Sequence, residues 1–283
     1  MKFEKSVIDL IKERKSQRTY LQKEFPQETI DRISDLLNQH KTGPFGNQID
    51  FHLIKKEFES SGRKAKIGTY GFISGAQYFI AGEIKKNGFC FEEYGYMLEK
   101  IILHLTEWKL GTCWLGGTFN RKTLYGALDS DMDILIPAIT PVGYVAKSKT
   151  MRENIIRWAA KADNRMEWDK LFFINDFSKP LPKVDANEYT LPLEMVRLAP
   201  SASNKQPWRI VKNQAGFHFY LERTPGYKKA FKTIDLQRVD MGIAMAHFEL
   251  CCLELNIPGN WQTTNPSVIP VNGEEFIMSW KSI

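Results

Sequence analysis

An α+β fold, a mixed sheet packed against long helices, is what the sequence predicts, and three observations predict it. Residues 94–110 and 241–255 carry apolar side chains along a helical period and are long enough to be core helices. Several short apolar runs bounded by Gly, Pro and Asn read as strands. The third observation is that the chain resembles itself. At an offset of 147 residues Gly95 meets Gly242, Leu103 meets Leu250, Glu107 meets Glu254, Leu110 meets Ile257 and Trp114 meets Trp261. At an offset of 157, with one gap, Pro44-Phe45-Gly46-Asn47 falls on residues 200–204, Phe51 on Trp208, and Leu53-Ile54 on Ile210-Val211. A loop and strand followed by a core helix that ends near Trp, twice in the same order, imply an internal duplication. Its two long helices would bury each other as a pseudo-twofold core.

With 283 residues the chain holds one large domain or two ordinary ones. We expect a first half over 1–165 and a shorter second half over 166–283, joined as one compact unit. At 43% hydrophobic and 25% charged residues, the composition is that of an ordinary globular protein without low-complexity tracts. No apolar run approaches the roughly 18 residues of a membrane span, and Met1-Lys2-Phe3-Glu4-Lys5 lacks an apolar signal core, so a cytoplasmic protein without membrane contact is expected. Cys90, Cys113, Cys251 and Cys252 match neither a disulfide framework nor a zinc spacing and read as inert thiols. The net charge of +6 comes from Lys and Arg interleaved with Asp and Glu, which argues against nucleic-acid binding.

In chain order, Phe3, Val7, Leu10 and Ile11 share one face of a helix over residues 3–13. Arg14-Lys15-Ser16-Gln17-Arg18-Thr19-Tyr20 follows. In an extended segment its two guanidinium groups and the hydroxyl between them project to one side and can grip a phosphate, although a solvated helix end explains such a cluster equally well. Pro26 starts a helix over 27–40 with Ile30, Ile33 and Leu37 inward. Thr42-Gly43-Pro44-Phe45-Gly46-Asn47-Gln48 is a loop feeding a strand at 51–54, and residues 76–81 form a second strand. The helix at 94–110 runs out at Gly111-Thr112-Cys113-Trp114-Leu115-Gly116-Gly117, where glycine permits close backbone approach to a flat or anionic ligand. The following stretch nears a phosphate-binding P-loop, but Arg121 stands where that motif needs glycine before Lys122, which excludes nucleotide triphosphates. A third strand at 134–142 and a helix at 151–162 come next. Residues 163–190 read as an irregular crossover. A hairpin pairs 208–212 with 217–222 around Asn213-Gln214-Ala215-Gly216.

The loop Ala199-Pro200-Ser201-Ala202-Ser203-Asn204-Lys205-Gln206-Pro207-Trp208 is built like a ligand loop, or like a plain turn before a strand; its composition does not decide. The combination does. Arg14-Lys15-Ser16-Gln17-Arg18 resembles the N-terminal Arg-x-Ser-x-Arg flavin-phosphate motif of the FMN-dependent nitroreductase family, and residues 199–208 are very similar to its Pro-Ser-x-x-Asn-x-Gln-Pro-Trp loop. Residues 111–117 resemble the family's glycine segment beside the flavin ring. Pro141-Val142-Gly143-Tyr144 resembles the strand end that precedes its distal phosphate-binding cation. In ordinary members the phosphate motif and the loop come from two identical subunits. Here they are divided between halves of one chain, as in the fused, internally duplicated members. The first half keeps a decayed loop with Phe45 and Gly46 in place of the serine pair, and no Arg-x-Ser-x-Arg precedes the second.

The resemblance implies a nitroreductase-like fold acting as a single-chain pseudo-dimer, a monomer with one intact FMN site and one lost one. Arg14, Lys15, Ser16 and Arg18 would hold the phosphate and ribityl oxygens, with Lys147 or Lys149 as a second cation. Gly116 and Gly117 would lie near flavin N5, and Pro200, Ser201, Ala202, Ser203 and Asn204 would line the other side of the ring, while Gln206 and Trp208 brace that loop. Some relatives place an acidic residue near N5 where this chain has glycine. The implied activity is FMN-dependent NAD(P)H oxidation, NADH or NADPH giving hydride to the flavin and a small nitroaromatic or quinone accepting it in ping-pong turnover. No metal site and no catalytic side chain are expected, and His104 reads as a core or surface histidine. A flavin-binding protein without turnover, and a flavin-fragmenting or dehalogenating relative, are the alternatives.

Overall fold

The structure, a computed structural model, describes residues 2–60, 63–128, 130–131, 133–146, 164–227, 233–266 and 268–283; Lys147, Lys149 and the helix expected at 151–162 lie outside them. The first half runs α1 (Val7–Glu13), α2 (Gln27–Gln39), β1 (Ile49–Lys55), β2 (Glu57–Ser60), β3 (Arg63–Lys66), β4 (Tyr78–Lys85), α3 (Cys90–Glu107), β5 (Gly111–Thr112), α4 (Arg121–Leu128), β6 (Ile134–Leu135) and β7 (Ile139–Gly143). The second runs β8 (Phe172–Ile174), α5 (Thr190–Leu198), β9 (Trp208–Asn213), β10 (Gly216–Leu221), α6 (Leu236–Glu254), β11 (Gly259–Gln262) and β12 (Glu275–Ser282).

The two halves share a plan. The first sheet has the order β1-β4-β7-β5, with β6 also on β4, and the second β9-β10-β12-β11. Helix, loop, hairpin-forming strands, long helix and two more strands occupy the same places in both. β8 is an addition, paired parallel to β9, and it makes the second sheet mixed.

The long helices α3 and α6 pack along each other, and their crossing is symmetric at atomic detail. A Cβ on Gly95 would stand 2.0 Å from Val239 O, and one on Gly242 would stand 1.9 Å from Glu92 O. The offset of 147 carries 95 onto 242 and 92 onto 239, so the two contacts exchange under the pseudo-twofold, as an isologous interface requires. Both helices end alike. Lys109 and Asn256 take φ of 61° and 56°. Lys109 N bonds Thr106 O and Leu110 N bonds Leu105 O, while Asn256 N bonds Leu253 O and Ile257 N bonds Cys252 O. The pattern satisfies carbonyls that the last turn leaves open.

Just before those ends, Glu107 and Glu254 hold the N-terminal segment together. Glu107 Oε1 accepts the N–H groups of Glu4 and Lys5 at 2.8 Å, and Glu254 accepts Val7 N–H at 2.5 Å and the Ser6 hydroxyl at 2.7 Å. α1 is thereby set against α3, α5 and α6, with Leu10 and Ile11 buried.

Several elements depart from the sequence reading. α1 begins at Val7, because Ser6 caps it, and Phe3 instead stacks on His104 with centroids 3.9 Å apart. α3 and α6 each start about a turn before the expected residue. The strand expected at 134–142 is broken: the Ile136 and Pro137 carbonyls turn to the Arg121 guanidinium at 3.1 and 2.7 Å, which ends β6 before β7 begins. The crossover region hides β8, whose Phe172 is fully buried. The β2–β3 hairpin, α4 and α5 also went unread. The four cysteines are free and buried, and burial pushes the Cys251 thiol up to about 12.

Two predictions follow from this packing. Because a methyl at either crossing glycine meets backbone, Gly95→Ala and Gly242→Ala should each destabilise by about 1–3 kcal/mol, whereas Gly68→Ala, which meets nothing within 4 Å, should not; urea unfolding midpoints decide. His40 and His218, both buried, are lowered to about 4, chiefly by burial. Their folded values lie below the unfolded value near 6.5, so the unfolded chain binds more protons below it. Stability should therefore fall as pH drops from about 6.5 towards 4, by up to about 1.4 kcal/mol per pH unit for each histidine, and His218→Gln should flatten that slope in unfolding measured between pH 7 and pH 5.

Candidate functional site

A cavity of about 490 Å³ opens where the end of α1, the segment after β5, the loop after α5 and the first turns of α6 meet. Three predicted groups of residues reach it. Arg14, Lys15, Ser16 and Arg18 line one side, Gly116 and Gly117 another, and residues 200–204 a third. Lys147 lies outside the described residues.

The basic side is extended chain. Arg14 caps α1 with φ −55° and ψ 123°, and Gln17 N then bonds Thr112 O at 2.8 Å, which ties the segment alongside β5. Arg14 is 8% exposed, its Nε 3.5 Å from Glu99 Oε1. Arg18 Nη1 is buried with no hydrogen-bond partner among the described residues. A buried cation donor without an acceptor is costly, and an anion in the cavity would satisfy it.

The glycine segment is shaped mainly by protein. A Cβ on Gly116 would meet Leu236 Cδ1 at 2.7 Å, so a side chain there would displace the Leu236 side chain of α6. Arg121 holds the same backbone: its guanidinium donates to Gly116 O and Pro137 O. The residue that spoils a P-loop thus fixes the cavity wall.

The third side is strained. Ser203, Asn204 and Gln206 have φ of 51°, 53° and 47°, conformations that cost on the order of 1–3 kcal/mol each and cluster at ligand sites. The surroundings impose them. Ser201 Oγ accepts Gln206 N–H at 2.8 Å, Gln206 Oε1 accepts Met166 N–H at 2.9 Å, and Asp240 Oδ1 accepts Ala202 N–H at 2.9 Å. Gln206 and Trp208 are buried behind the loop and do not line the cavity.

The floor and remaining wall were not read from the sequence. Leu236, Val239 and Ile243 of α6, with Trp114 and Ala138, make an apolar floor. Trp114 is fixed by its indole N–H, which donates to Glu99 Oε2 at 2.7 Å. Arg165 lines the cavity from the stretch read as crossover and donates to Leu198 O. Asp240 lines it from α6, and burial raises its carboxyl well above the usual range, with Asp235 adding to the effect and the Ala202 N–H opposing it. Arg165 had no periodic signal to expose it. Asp240 did have one, since the offset of 147 places it on Glu93.

The counterpart region of the first half is packed differently. Phe45, which the offset of 157 places on Ala202, sits 5.9 Å from Tyr96, 6.3 Å from Phe89 and 6.4 Å from Trp261 between ring centroids. At the offset of 147 Phe89, Tyr96 and Trp261 stand for Leu236, Ile243 and Trp114 of the cavity floor, so Phe45 packs on the counterpart of that floor.

Among solved structures, the chain is similar over its whole length to a nitroreductase of Thermotoga maritima, at 21% identity and TM-score 0.59, covering 95% of that chain. Two others cover about half of this chain: a nitroreductase of Bacteroides fragilis with bound FMN (16% identity, 52% of this chain and 92% of that one, TM-score 0.40) and one of Desulfovibrio desulfuricans in complex with FMN (18% identity, 54% and 96%, TM-score 0.38). No curated protein matches it. No helix of the described residues is long and apolar enough to cross a membrane. The family described as "Putative TM nitroreductase" matches residues 6–252, nearly the full length, and the chain belongs to that nitroreductase family.

Proposed function

We propose that the cavity binds FMN and that the protein is an FMN-dependent oxidoreductase using NADH or NADPH to reduce small electron-poor acceptors such as nitroaromatics or quinones in ping-pong turnover. The observation that carries this reading is the union, in one cavity, of Arg18, whose buried Nη1 has no hydrogen-bond partner among the described residues, with an apolar floor suited to a flat ring. Bound FMN would supply the hydride chemistry, which belongs to the cofactor.

The chain's own residues bind and orient. Arg14, Ser16 and Arg18 would take the phosphate and ribityl oxygens by charge-assisted hydrogen bonds, with Lys15 and Lys147 adding positive charge. Gly116 and Gly117, held by Arg121, would face one edge of the ring, and residues 200–204 the other side. Positive charge at this end offsets the negative charge that reduction places on a flavin, while Leu236, Val239 and Ile243 exclude water. Gln206 and Trp208 keep the loop in its strained form. The free buried thiols accord with a reducing, cytoplasmic setting. With Phe45 and Trp261 filling the twin region, we expect one FMN per chain in a monomer.

The purified protein should be yellow, with about one FMN per chain by absorbance against amino-acid analysis and a monomer mass by light scattering; two flavins per chain would contradict the single-site reading. Arg18→Glu should weaken FMN binding by at least about tenfold, and full occupancy in that variant would remove Arg18 from the phosphate role. NADPH or NADH oxidation with menadione should be saturable. A flavin that neither nicotinamide bleaches anaerobically would leave a binding protein without turnover.

A further inference from the structure

We propose that Asp240 contacts the bound flavin directly, its Oδ2 donating a hydrogen bond to an acceptor atom of the ring system; the proposal rests on the FMN reading above. Asp240 stands in the second turn of α6, is 2% exposed and lines the cavity. Its two oxygens differ. Oδ1 accepts the Ala202 N–H at 2.9 Å, and Oδ2 is buried with no hydrogen-bond partner among the described residues.

The pseudo-twofold shows what that orphan means. Glu93, the counterpart at the offset of 147, spends both oxygens on the decayed loop: Oε1 accepts Phe45 N–H at 3.3 Å and Oε2 accepts Asn47 N–H at 2.8 Å. The offset of 157 carries Phe45 onto Ala202 and Asn47 onto Asn204. The same carboxyl, on the same helix position, therefore ties down the same loop in both halves. In the half with the open cavity the side chain is one methylene shorter, and it secures the first amide only. A buried polar atom left without a partner carries a desolvation cost, and the cavity is where a partner can arrive.

The direction of the bond follows from the surroundings. Burial is the main influence on the carboxyl, and Asp235, which caps the same helix, adds negative charge in the same sense. Both favour the neutral acid, in which form Oδ2 would donate.

The test uses the full chain with FMN as the probe. Asp240→Asn keeps an acceptor for Ala202 and a donor for the cavity, and it should bind FMN within about threefold of the parent. Asp240→Ala should bind about tenfold or more weakly, the effect of losing one buried hydrogen bond. Infrared difference spectra should show a protonated-carboxyl carbonyl band that shifts when FMN is added and is absent in Asp240→Asn. Parent-like affinity in a folded Asp240→Ala, or a band that FMN leaves unmoved, would overturn the contact. Should Asp240→Ala fail to fold, the infrared shift and the Asp240→Asn affinity decide alone, and weak binding by Asp240→Asn would mean a charged acceptor and refute the donor. A parent chain that does not bind FMN at all would instead bring down the flavin reading itself, and this contact with it.

Discussion

The structure depends on the close approach of α3 and α6. Two helices can lie backbone against backbone only where one of them carries no Cβ at the contact, and Gly95 and Gly242 supply that gap on opposite sides of the pseudo-twofold. The two halves are then held at a distance too short for rotation or sliding, because any shift drives a helix backbone into a carbonyl. Their sheets lie outside this pair, and large buried side chains such as Trp208, Trp280 and Phe248 fill the space between. Dense packing of this kind transmits position faithfully, which a cavity assembled from distant segments requires.

The cavity lies beside that crossing and draws a wall from each partner. α6 gives Leu236, Val239, Asp240 and Ile243, while α3 acts at one remove: Glu99 holds both Trp114 and Arg14 through its two oxygens. Glu99 Oε1 also meets His247 Nε2 of α6 at 2.9 Å, so one buried carboxylate links the two long helices to the basic segment and to the floor. The N-terminal segment reaches the site because Glu107 and Glu254, equivalent under the pseudo-twofold, close on its backbone from both helices. A symmetric frame thus positions an asymmetric site. The asymmetry comes from a few substitutions: Phe45 against Ala202, Glu93 against Asp240, and a basic N-terminal segment that is present once.

The parts of the fold legible in the sequence were those governed by local periodicity or by repetition. α2, β1, the β9–β10 hairpin and the cores of α3 and α6 stand where their apolar spacing puts them. The matching helix ends at Leu110 and Ile257 were visible as a sequence offset before they appeared as identical hydrogen-bond patterns. β8 was hidden because a strand of three residues is too short to display an alternation. The break between β6 and β7 was hidden because it is made by Arg121, a residue far from the break along the chain. The residues that motif chemistry marks, Arg14, Ser16, Arg18 and the loop at 200–204, come together at one cavity. The apolar floor looked like any other core.

By itself, the sequence determined the repeat and the α+β class and marked the segments 14–18 and 200–204, since each is written in residue type and spacing. Tertiary structure alone decided that these segments meet at one cavity, that Leu236 rests on Gly116, and that Asp240 lines the cavity with one oxygen in use. Those outcomes depend on which backbone lies within a few ångströms of which side chain. That distance is set by the crossing of α3 and α6, and no local pattern records it.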